Sequence, residues 1–296
     1  MNYKHFPFYR RTNLEMLFND AYEIYRAHFG WLFFVSFLFL IITQTLSGYL
    51  IGDKIGSMDQ FMQDPTDMQA ALQFYKGLFP IIFIQFFLYS YIYVFLGYFI
   101  LTRYLEPERS LGGAAVHSLT KYYIRFLFVT ILAYIILTFG TVIGLLALII
   151  GSLVAMAFLG TSLSVALPVL LVEDTGIFQT IGRSFRLVLK DFWAVFGYLL
   201  IFGLVYILMS MIFGAISMAP YASSFLRDLF HPAVQDAAAS PGTFQAMTKP
   251  LYVILNSFFS ALLLPLIPIF SILIYFHLKY VEDEQESVLQ ESMDKL

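Results

Sequence analysis

The sequence predicts an all-α polytopic membrane protein, a helical bundle of about six transmembrane helices with amphipathic helices at the membrane interface. Hydrophobic residues make up 59% of the chain and charged residues only 12%, whereas roughly 25% of the residues in a soluble domain are charged. Uncharged runs of about 20 residues, long enough to cross a bilayer core, recur along the chain. The uneven distribution of Lys and Arg between successive loops then gives the orientation.

Six membrane spans account for the uncharged runs. They are placed near residues 30–51, 77–102, 124–143, 147–172, 192–218 and 251–278. Residues 126–172 carry no charged side chain and are too long for one helix, so we expect the Gly-rich GTVIG at 140–144 to be the turn that divides them. The same GxxxG spacing occurs on helix-packing faces, which is the alternative for this stretch.

The chain is predicted to be a single integral membrane domain, residues 1–296. Residues 1–29 form an amphipathic cytoplasmic N-terminus, 30–278 the six-span bundle and 279–296 an acidic cytoplasmic tail. A cleavable signal peptide is not expected, because the first apolar run begins near Phe29, after a segment that carries both acids and bases.

Basic residues predict the orientation and the partners. Thirteen of the 17 Lys and Arg residues fall on the side of the two termini, and basic loops resist export, so both termini are placed in the cytoplasm. A net charge of −3 provides no basic field for nucleic acid. The expected partners are membrane lipids, with another membrane or soluble protein as a further partner.

A basic amphipathic helix is predicted at residues 176–192, GIFQTIGRSFRLVLKDF, directly before the fifth span. Phe178, Ile181, Phe185, Val188 and Phe192 recur with a helical period, as do the cations Arg183, Arg186 and Lys190. One apolar and one cationic face suit a helix that lies at the inner interface. Arg183, Arg186 and Lys190 are therefore candidate contacts for lipid headgroups.

Similar segments precede the first span, TNLEMLFNDAYEIYRAHFGW, and the third span, SLTKYYIRF. In each copy a small residue stands eight positions before a Phe: Ala21 and Phe29, Ser118 and Phe126, Ser184 and Phe192. This pattern predicts a threefold repeat of an interfacial helix plus a two-span hairpin. Coincidence is the alternative, because the pattern is loose in a chain with 33 Phe residues.

Residues 164–200, SVALPVLLVEDTGIFQTIGRSFRLVLKDFWAVFGYLL, resemble a segment of the membrane domain of bacterial glycerophosphodiester phosphodiesterases and of related uncharacterised six-span bacterial proteins. The shared features are Pro168, Glu173, the pair Arg183-Ser184, Leu187, Lys190 and the pair Phe192-Trp193. The resemblance implies a membrane architecture and no catalytic residue, because the phosphodiesterase activity of that family belongs to a separate soluble domain.

Glu173 and Asp174, at the inner end of the fourth span, form the candidate polar pair. One interpretation is that they hold a cation or pair with Arg183 and Arg186. The favoured interpretation is an N-cap for the following helix, in which Asp174 or Thr175 accepts backbone N–H bonds.

No catalytic residue, cofactor or metal site is predicted. The predicted spans carry no ionisable side chain at mid-membrane, which argues against an ion-coupled transporter and an intramembrane acid or base. The sequence shows no phosphate loop, catalytic triad or zinc signature. His28, His117 and His277 could share a three-histidine metal site, but their spacing gives it no support.

The spans also contain two prolines and several side-chain amides. Pro265 and Pro268 in LLLPLIPIF remove helical N–H donors and predict a kink in the sixth span. Broken helices line binding sites in many transporters, so the kink has a structural and a transport interpretation. Gln44, Gln85 and Asn256 are expected to form hydrogen bonds between helices.

These observations, together with the resemblance, predict a non-catalytic integral protein of the bacterial cytoplasmic (inner) membrane that serves as a scaffold or accessory subunit. One alternative is a transporter or exporter of a lipid or small amphiphile, whose path runs beside the kinked sixth span. The other alternative, and the least favoured of the three, is a membrane enzyme that acts at the level of the lipid headgroups near Glu173.

Overall fold

The computed structural model describes residues 3–52, 67–106, 110–146, 148–222 and 249–294, and every regular element in these ranges is helical. The helices are α1 Leu14–Ala27, α2 Phe29–Gly52, α3 Met68–Leu105, α4 Leu111–His117, α5 Ile124–Leu145, α6 Leu148–Leu163, α7 Ala166–Glu173, α8 Ile177–Val188, α9 Phe192–Met218, α10 Pro250–Leu263 and α11 Leu266–Asp294. A π-helical stretch, Ser118–Tyr123, connects α4 to α5. The all-α fold predicted from the sequence is confirmed.

Six stretches of the described chain are long and apolar enough to cross a membrane. They are Phe29–Leu50, Ala71–Leu105, Gly112–Leu145, Ile149–Glu173, Phe192–Tyr221 and Pro250–Met293. Their number agrees with the prediction and makes this a multi-pass membrane protein, while the side on which the termini lie stays a prediction. The predicted orientation puts two loops, residues 52–76 and 219–249, on the outer side, and most of each, at 53–66 and 223–248, lies outside the described residues.

The turn between the third and fourth spans lies later than the sequence predicted. α5 continues through GTVIG and ends at Leu145, so the Gly-rich stretch is helical. A Cβ on Gly144 would come within 2.6 Å of the Gly151 carbonyl oxygen, and a Cβ on Gly140 within 2.2 Å of the Leu159 side chain. The glycines therefore allow α5 and α6 to approach closely, which is the packing alternative for this sequence.

Two of the spanning stretches are interrupted close to a proline. Residues 164–165 separate α6 from α7, and residues 264–265 separate α10 from α11. Pro168 and Pro268 each lie in the first turn of the helix that follows the break, where a missing N–H is tolerated. The interruption in the sixth span thus coincides with Pro265 and the start of the helix that contains Pro268.

A serine hydroxyl replaces the hydrogen bond that Pro168 cannot make. In a continuous helix the carbonyl oxygen of Ser164 would accept the N–H of residue 168, which proline lacks. Ser271 Oγ of α11 donates to this carbonyl oxygen at 2.7 Å instead. The break is therefore satisfied by a neighbouring helix rather than left with an unpaired carbonyl group.

The chain divides into two compact units. Unit 1 comprises residues 1–29, 90–204 and 265–296, and unit 2 comprises 30–89 and 205–264, so α2, α3 and α9 contribute residues to both. Within unit 2, Gln85 Nε2 donates to Ser47 Oγ and joins α3 to α2. This contact confirms the interhelical hydrogen bond predicted for Gln85.

Unit 1 is built around α11. Tyr275 and Phe276 of this helix are fully buried, as are Leu17 and Ile24 of α1. α1 packs along α11, and Phe18 meets Phe270 edge-to-face with ring centroids 5.0 Å apart. The amphipathic helix before the first span therefore packs against protein along its apolar face.

The segments that resemble one another before the first, third and fifth spans are all helical: α1, the π-helical stretch and α8. The small residue at the matching position of each, Ala21, Ser118 or Ser184, is buried. Burial explains why a small side chain stands at each of these positions. The threefold repeat itself stays a prediction, since the π-helical stretch continues directly into its span whereas α1 and α8 end before theirs.

Candidate functional site

A group of charged side chains in unit 1 surrounds Glu282 of α11. This Glu282 cluster consists of Glu173, Arg183, Lys190, Lys279, Glu282 and Asp283, with the hydroxyl groups of Tyr9 and Tyr275 at its edge. α7 brings the first member at its C-terminal residue, α8 and the turn after it bring two cations, and α11 brings the remaining charges. The cluster therefore joins segments from the middle and the end of the chain.

Glu282 has three cationic partners although its side chain is only 5% exposed. Lys190 Nζ lies 2.8 Å from Oε1, and Lys279 Nζ lies 2.7 Å from Oε2. Arg183 donates from Nη1 to Oε1 at 2.8 Å and from Nη2 to Oε2. A carboxylate with so little access to water is stable only with such partners, and these contacts satisfy both of its oxygens.

Arg183 connects Glu282 to Glu173. Its Nε donates to Glu173 Oε2 at 2.9 Å, and Glu173 Oε1 also accepts the Tyr275 hydroxyl at 3.1 Å. The hydrogen bond to Glu282 raises the pKa of the Arg183 guanidinium above its ordinary value; burial opposes this rise and Glu173 adds to it. Arg183 thus stays charged and bridges two carboxylates.

The buried face of α8 explains how Arg183 reaches the cluster. Thr180, Ile181, Ser184, Leu187 and Val188 are buried. Phe178, which the sequence assigned to the apolar face, is 79% exposed. The buried face is therefore rotated from the predicted one, so that Arg183 lies at its edge and points into the protein.

The three cations predicted to contact lipid headgroups occupy different surroundings. Arg183 and Lys190 both bond to Glu282. Arg186 is exposed, and its Nε donates to the Gly182 carbonyl oxygen at 3.4 Å. Sequence reasoning missed the partner of the first two because Glu282 lies 99 positions after Arg183. The available signal was an acid one helical turn after Lys279, at the end of a long apolar run.

Glu173 and Asp174 bind different partners. Glu173 pairs with Arg183, as one of the two interpretations of this pair allowed. Asp174 ends α7 in the left-handed conformation, with φ 51° and ψ 41°. The N-cap residue of α8 is Gly176, whose N–H donates to Gln179 Oε1 at 3.3 Å, so the N-cap interpretation of the pair was wrong.

Asp174 lies between two cations, an arrangement that we call the Asp174 clamp. Lys121 Nζ lies 2.8 Å from Oδ2 and Arg125 Nη1 lies 2.9 Å from Oδ1. Burial would raise the pKa of Asp174, but Lys121 and Arg125 outweigh it and hold this pKa below its usual range. The side chain is 45% exposed, so water reaches this carboxylate.

The segment before α1 is fastened to α9 and α11 through His277. The backbone N–H of Thr12 donates to His277 Nδ1 at 3.0 Å, and the Tyr198 hydroxyl donates to the Thr12 carbonyl oxygen at 2.8 Å. Because Nδ1 accepts, the ring hydrogen is assigned to Nε2, which lies 3.2 Å from Asp191 Oδ2. His277 is therefore part of the structural framework of unit 1.

Aromatic side chains of the same segment reach the Glu282 cluster. The Tyr9 hydroxyl donates to Asp283 Oδ2 at 2.6 Å. Burial and this hydrogen bond raise the pKa of Tyr9. Phe6 is buried and stacks on Phe276, with ring centroids 4.1 Å apart. The residues before α1 thus cover one side of α11.

The histidines considered for a metal site lie in different surroundings. His277 bonds to Thr12 and Asp191. The ring of His28 lies edge-on to Tyr104, and the ring of His117 packs against Tyr98. Among the residues that the structure describes, no group of three His, Cys, Asp or Glu side chains is placed to hold a metal ion.

The chemistry of the Glu282 cluster is that of a closed network. Its carboxylates are bonded to cations or hydroxyl groups, and Arg183 joins two of them. Buried charges that neutralise one another hold their segments in one arrangement, because removing one member leaves the opposite charge buried without a partner. The cluster therefore sets the position of α11 relative to α7 and α8.

No protein-family model, curated protein or solved structure matches this chain. The resemblance to the membrane domain of glycerophosphodiester phosphodiesterases stays an expectation from residues 164–200. The function must therefore be inferred from the residues of the site itself.

Proposed function

We propose that this chain is a non-catalytic scaffold or accessory subunit of a membrane complex, and that the exposed end of α11 is the surface it presents to a partner protein. One observation carries the proposal: α11 stays helical to Asp294, while residues 284–293 are all exposed. A non-catalytic role is supported at Glu173, the acid considered for headgroup chemistry, because Arg183 and Tyr275 both bond to it.

The charge and the apolar residues of this helical end indicate what kind of partner surface it binds. Residues 280–294 contain no Lys or Arg, and the exposed end of the helix carries Glu284, Glu286 and Glu291. Val288, Leu289 and Met293 are also exposed, at 62%, 62% and 66%; Leu289 and Met293 lie on one face of the helix, with Val288 beside it. An acidic helix with an apolar face fits a protein groove that is apolar at its centre and rimmed by Lys and Arg.

The Glu282 cluster fixes the direction of this helical end. Val281 and Glu282 are buried, and the exposed part begins at Glu284. Cations from α8 and from the turn after it bond to Glu282, so α11 is restrained from rotating at the root of its exposed part. A helix that is already formed and held loses less conformational entropy when a partner binds.

We place both termini on the cytoplasmic side because most Lys and Arg residues fall there, and the resemblance of residues 164–200 supports the bacterial inner membrane. Membrane lipids are then a second class of partner for this side of the protein. Arg186 is exposed on α8, and Trp193 at the start of α9 is 79% exposed. An exposed cation near an interfacial Trp suits contact with anionic headgroups, at about 1 kcal/mol per cation.

Orientation can be measured directly, because the chain contains no cysteine. A Ser292→Cys variant places one thiol on the exposed end of α11. We expect a membrane-impermeant maleimide to label it only after the inner membrane is permeabilised. Labelling in intact spheroplasts would place the helical end outside the cell and overturn the docking role.

Docking can be tested by site-specific photocrosslinking. A photoreactive residue at Leu289 should give one discrete protein adduct in membranes, and the same probe at the exposed Tyr22 of α1 is the matched control. Glu284→Lys combined with Glu291→Lys should abolish the adduct, because the partner groove is cationic. Mass spectrometry should identify an adduct protein whose contact surface is basic. Adducts with lipid only, or an adduct that survives charge reversal, would contradict the proposal.

A second candidate function is favoured by the two helix breaks. α7 and α11 both begin at an interruption, and Ser271 of α11 donates to the Ser164 carbonyl oxygen at the break before α7. Broken helices that meet in this way occur in transporters, so export of a lipid or small amphiphile is the alternative. Replacing both Pro265 and Pro268 with Ala should then lower lipid flux in proteoliposomes while the protein level stays unchanged.

A further inference from the structure

A cavity of about 280 Å³ opens beside the Asp174 clamp in unit 1. It is lined by Tyr98, Glu106, His117, Lys121, Tyr122, Leu171, Val172 and Asp174. Leu171 and Val172 of α7 are buried behind the cavity, whereas Asp174 is exposed at the mouth. The cavity is therefore lined mainly by polar and charged groups and is open to water.

Two local departures from regular backbone meet at this cavity. The π-helical stretch that connects α4 to α5 carries Lys121 and Tyr122, and π-helical turns are frequent at functional sites. Asp174 is the one non-glycine residue with positive φ among those that the structure describes. Such conformations concentrate at ligand-binding positions, because the surrounding structure must hold them in place.

The charges around the cavity are of both signs. Lys121 and the neighbouring Arg125 are cations, and Asp174 and Glu106 are acids. Lys121 Nζ also lies 5.0 Å from the centre of the Tyr122 ring, which favours its charged form. A purely anionic ligand would meet two carboxylates, and a purely cationic one would meet two basic groups, so a ligand that carries both charges fits best.

We propose that this cavity binds a zwitterionic headgroup in which a phosphate is joined to a primary ammonium. Lys121 and Arg125 bind the phosphate, and Asp174 and Glu106 accept from the ammonium. Lys121 and Arg125 can exchange Asp174 for the phosphate, because the Asp174 carboxylate is exposed and water solvates it while its partners change.

Two sources offer the same chemistry, namely a membrane phospholipid and a free water-soluble phosphoamine. Native mass spectrometry of the full-length protein, released from nanodiscs, separates them with three probes: phosphatidylethanolamine, phosphatidylglycerol and O-phosphoethanolamine. We expect phosphatidylethanolamine to be retained at least tenfold over phosphatidylglycerol. Retention of O-phosphoethanolamine in competition with the lipid would assign the site to the soluble source, and failure to compete would assign it to the lipid.

Single substitutions test whether retention of the lipid depends on the cavity. Lys121→Met and Glu106→Gln should each weaken retention of phosphatidylethanolamine at least tenfold, whereas Arg26→Met, which removes an exposed cation of α1, should leave it unchanged. Melting temperatures measured without added lipid should stay within a few degrees of the wild type, which separates lost binding from lost folding. Equal retention of the two lipids by the wild type, or full retention by Lys121→Met, would overturn the proposal. The result is independent of protein docking at α11.

Discussion

Glu282 and Asp174 are both carboxylates held by cations from other segments, but they differ in access to water. Glu282 is 5% exposed and has three cationic partners, whereas Asp174 is 45% exposed and has two. When a buried pair loses one partner, the other charge is stranded in a medium of low dielectric constant. At an exposed pair, water takes the place of the lost partner. The same ion-pair chemistry therefore fixes the fold at Glu282 and leaves Asp174 free to exchange partners.

The largest effect is expected for Glu282→Gln. This change removes the one charge that Arg183, Lys190 and Lys279 share. The uncompensated cations should lower the free energy of unfolding by about 3 kcal/mol, or roughly 6–12 °C in melting temperature. Thermal unfolding in detergent checks this, with the exposed Glu286→Gln on the same helix as the control. A shift equal to that of the control would remove the distinction between buried and exposed acids.

Arg183→Met should have the next largest effect, at about 2 kcal/mol. Glu282 keeps two of its cations in this variant, but Glu173 loses its guanidinium partner. Arg186→Met is the matched control, because it removes a cation from the exposed face of α8. Arg183→Lys should recover only part of the stability, since one ammonium cannot reproduce the contacts of the planar guanidinium with two carboxylates. Indistinguishable melting curves for the two Met variants would contradict the inward position of Arg183.

Ser271→Ala should cost about 1 kcal/mol, because it leaves the Ser164 carbonyl oxygen without its donor. Ser257→Ala in α10 is the control: the Ser257 hydroxyl is buried and has no hydrogen-bond partner within the described part of the chain. Melting temperatures of the two variants, compared in the same detergent, measure how much the hydrogen bond from Ser271 to Ser164 stabilises the protein. A larger loss for Ser257→Ala would show that this bond contributes little.

The smallest effect is expected for Asp174→Asn, below about 1 kcal/mol. Asn tolerates the left-handed backbone at this position, so the change tests the charge alone. The cations hold the pKa of Asp174 below its usual range, so its contribution is present above about pH 3.9 and disappears as the pH falls through the folded-state pKa. Wild type and variant should therefore show the same small difference in melting temperature at pH 5 and at pH 7. A loss of stability as large as that of Glu282→Gln would contradict the difference between the exposed and the buried carboxylate.

Local patterns predicted the spans, and non-local contacts decided the site. The uncharged runs gave six helical spans because hydropathy is a property of consecutive residues. GTVIG was wrongly predicted as a turn, since its glycines serve the close packing of α5 on a partner that the sequence pattern does not name. The helical period of α8 was recognised, but not the direction of Arg183, whose acid Glu282 lies far along the chain.

The residues before α1 show the same limit. Phe6, Tyr9 and Thr12 stand three positions apart, and this spacing does not indicate that they pack against α11. Each is held by a residue near the other end of the chain: Phe276, Asp283 or His277. Burial of this segment follows from pairing that only a complete tertiary structure reveals.

The hydrogen bond between Thr12 and His277 also sets an order of events during biosynthesis. The two residues are 265 positions apart, and at roughly 5–20 residues per second the ribosome reaches the second about 13–50 s after the first. Until then the opening segment lacks its contacts with α11 and has only earlier partners such as Tyr104 and Tyr198, so it is incompletely packed while the hairpins enter the membrane. Closing this bond is therefore among the last steps of assembly, and a ribosome stalled before position 277 would hold a chain whose first residues remain open to proteolysis.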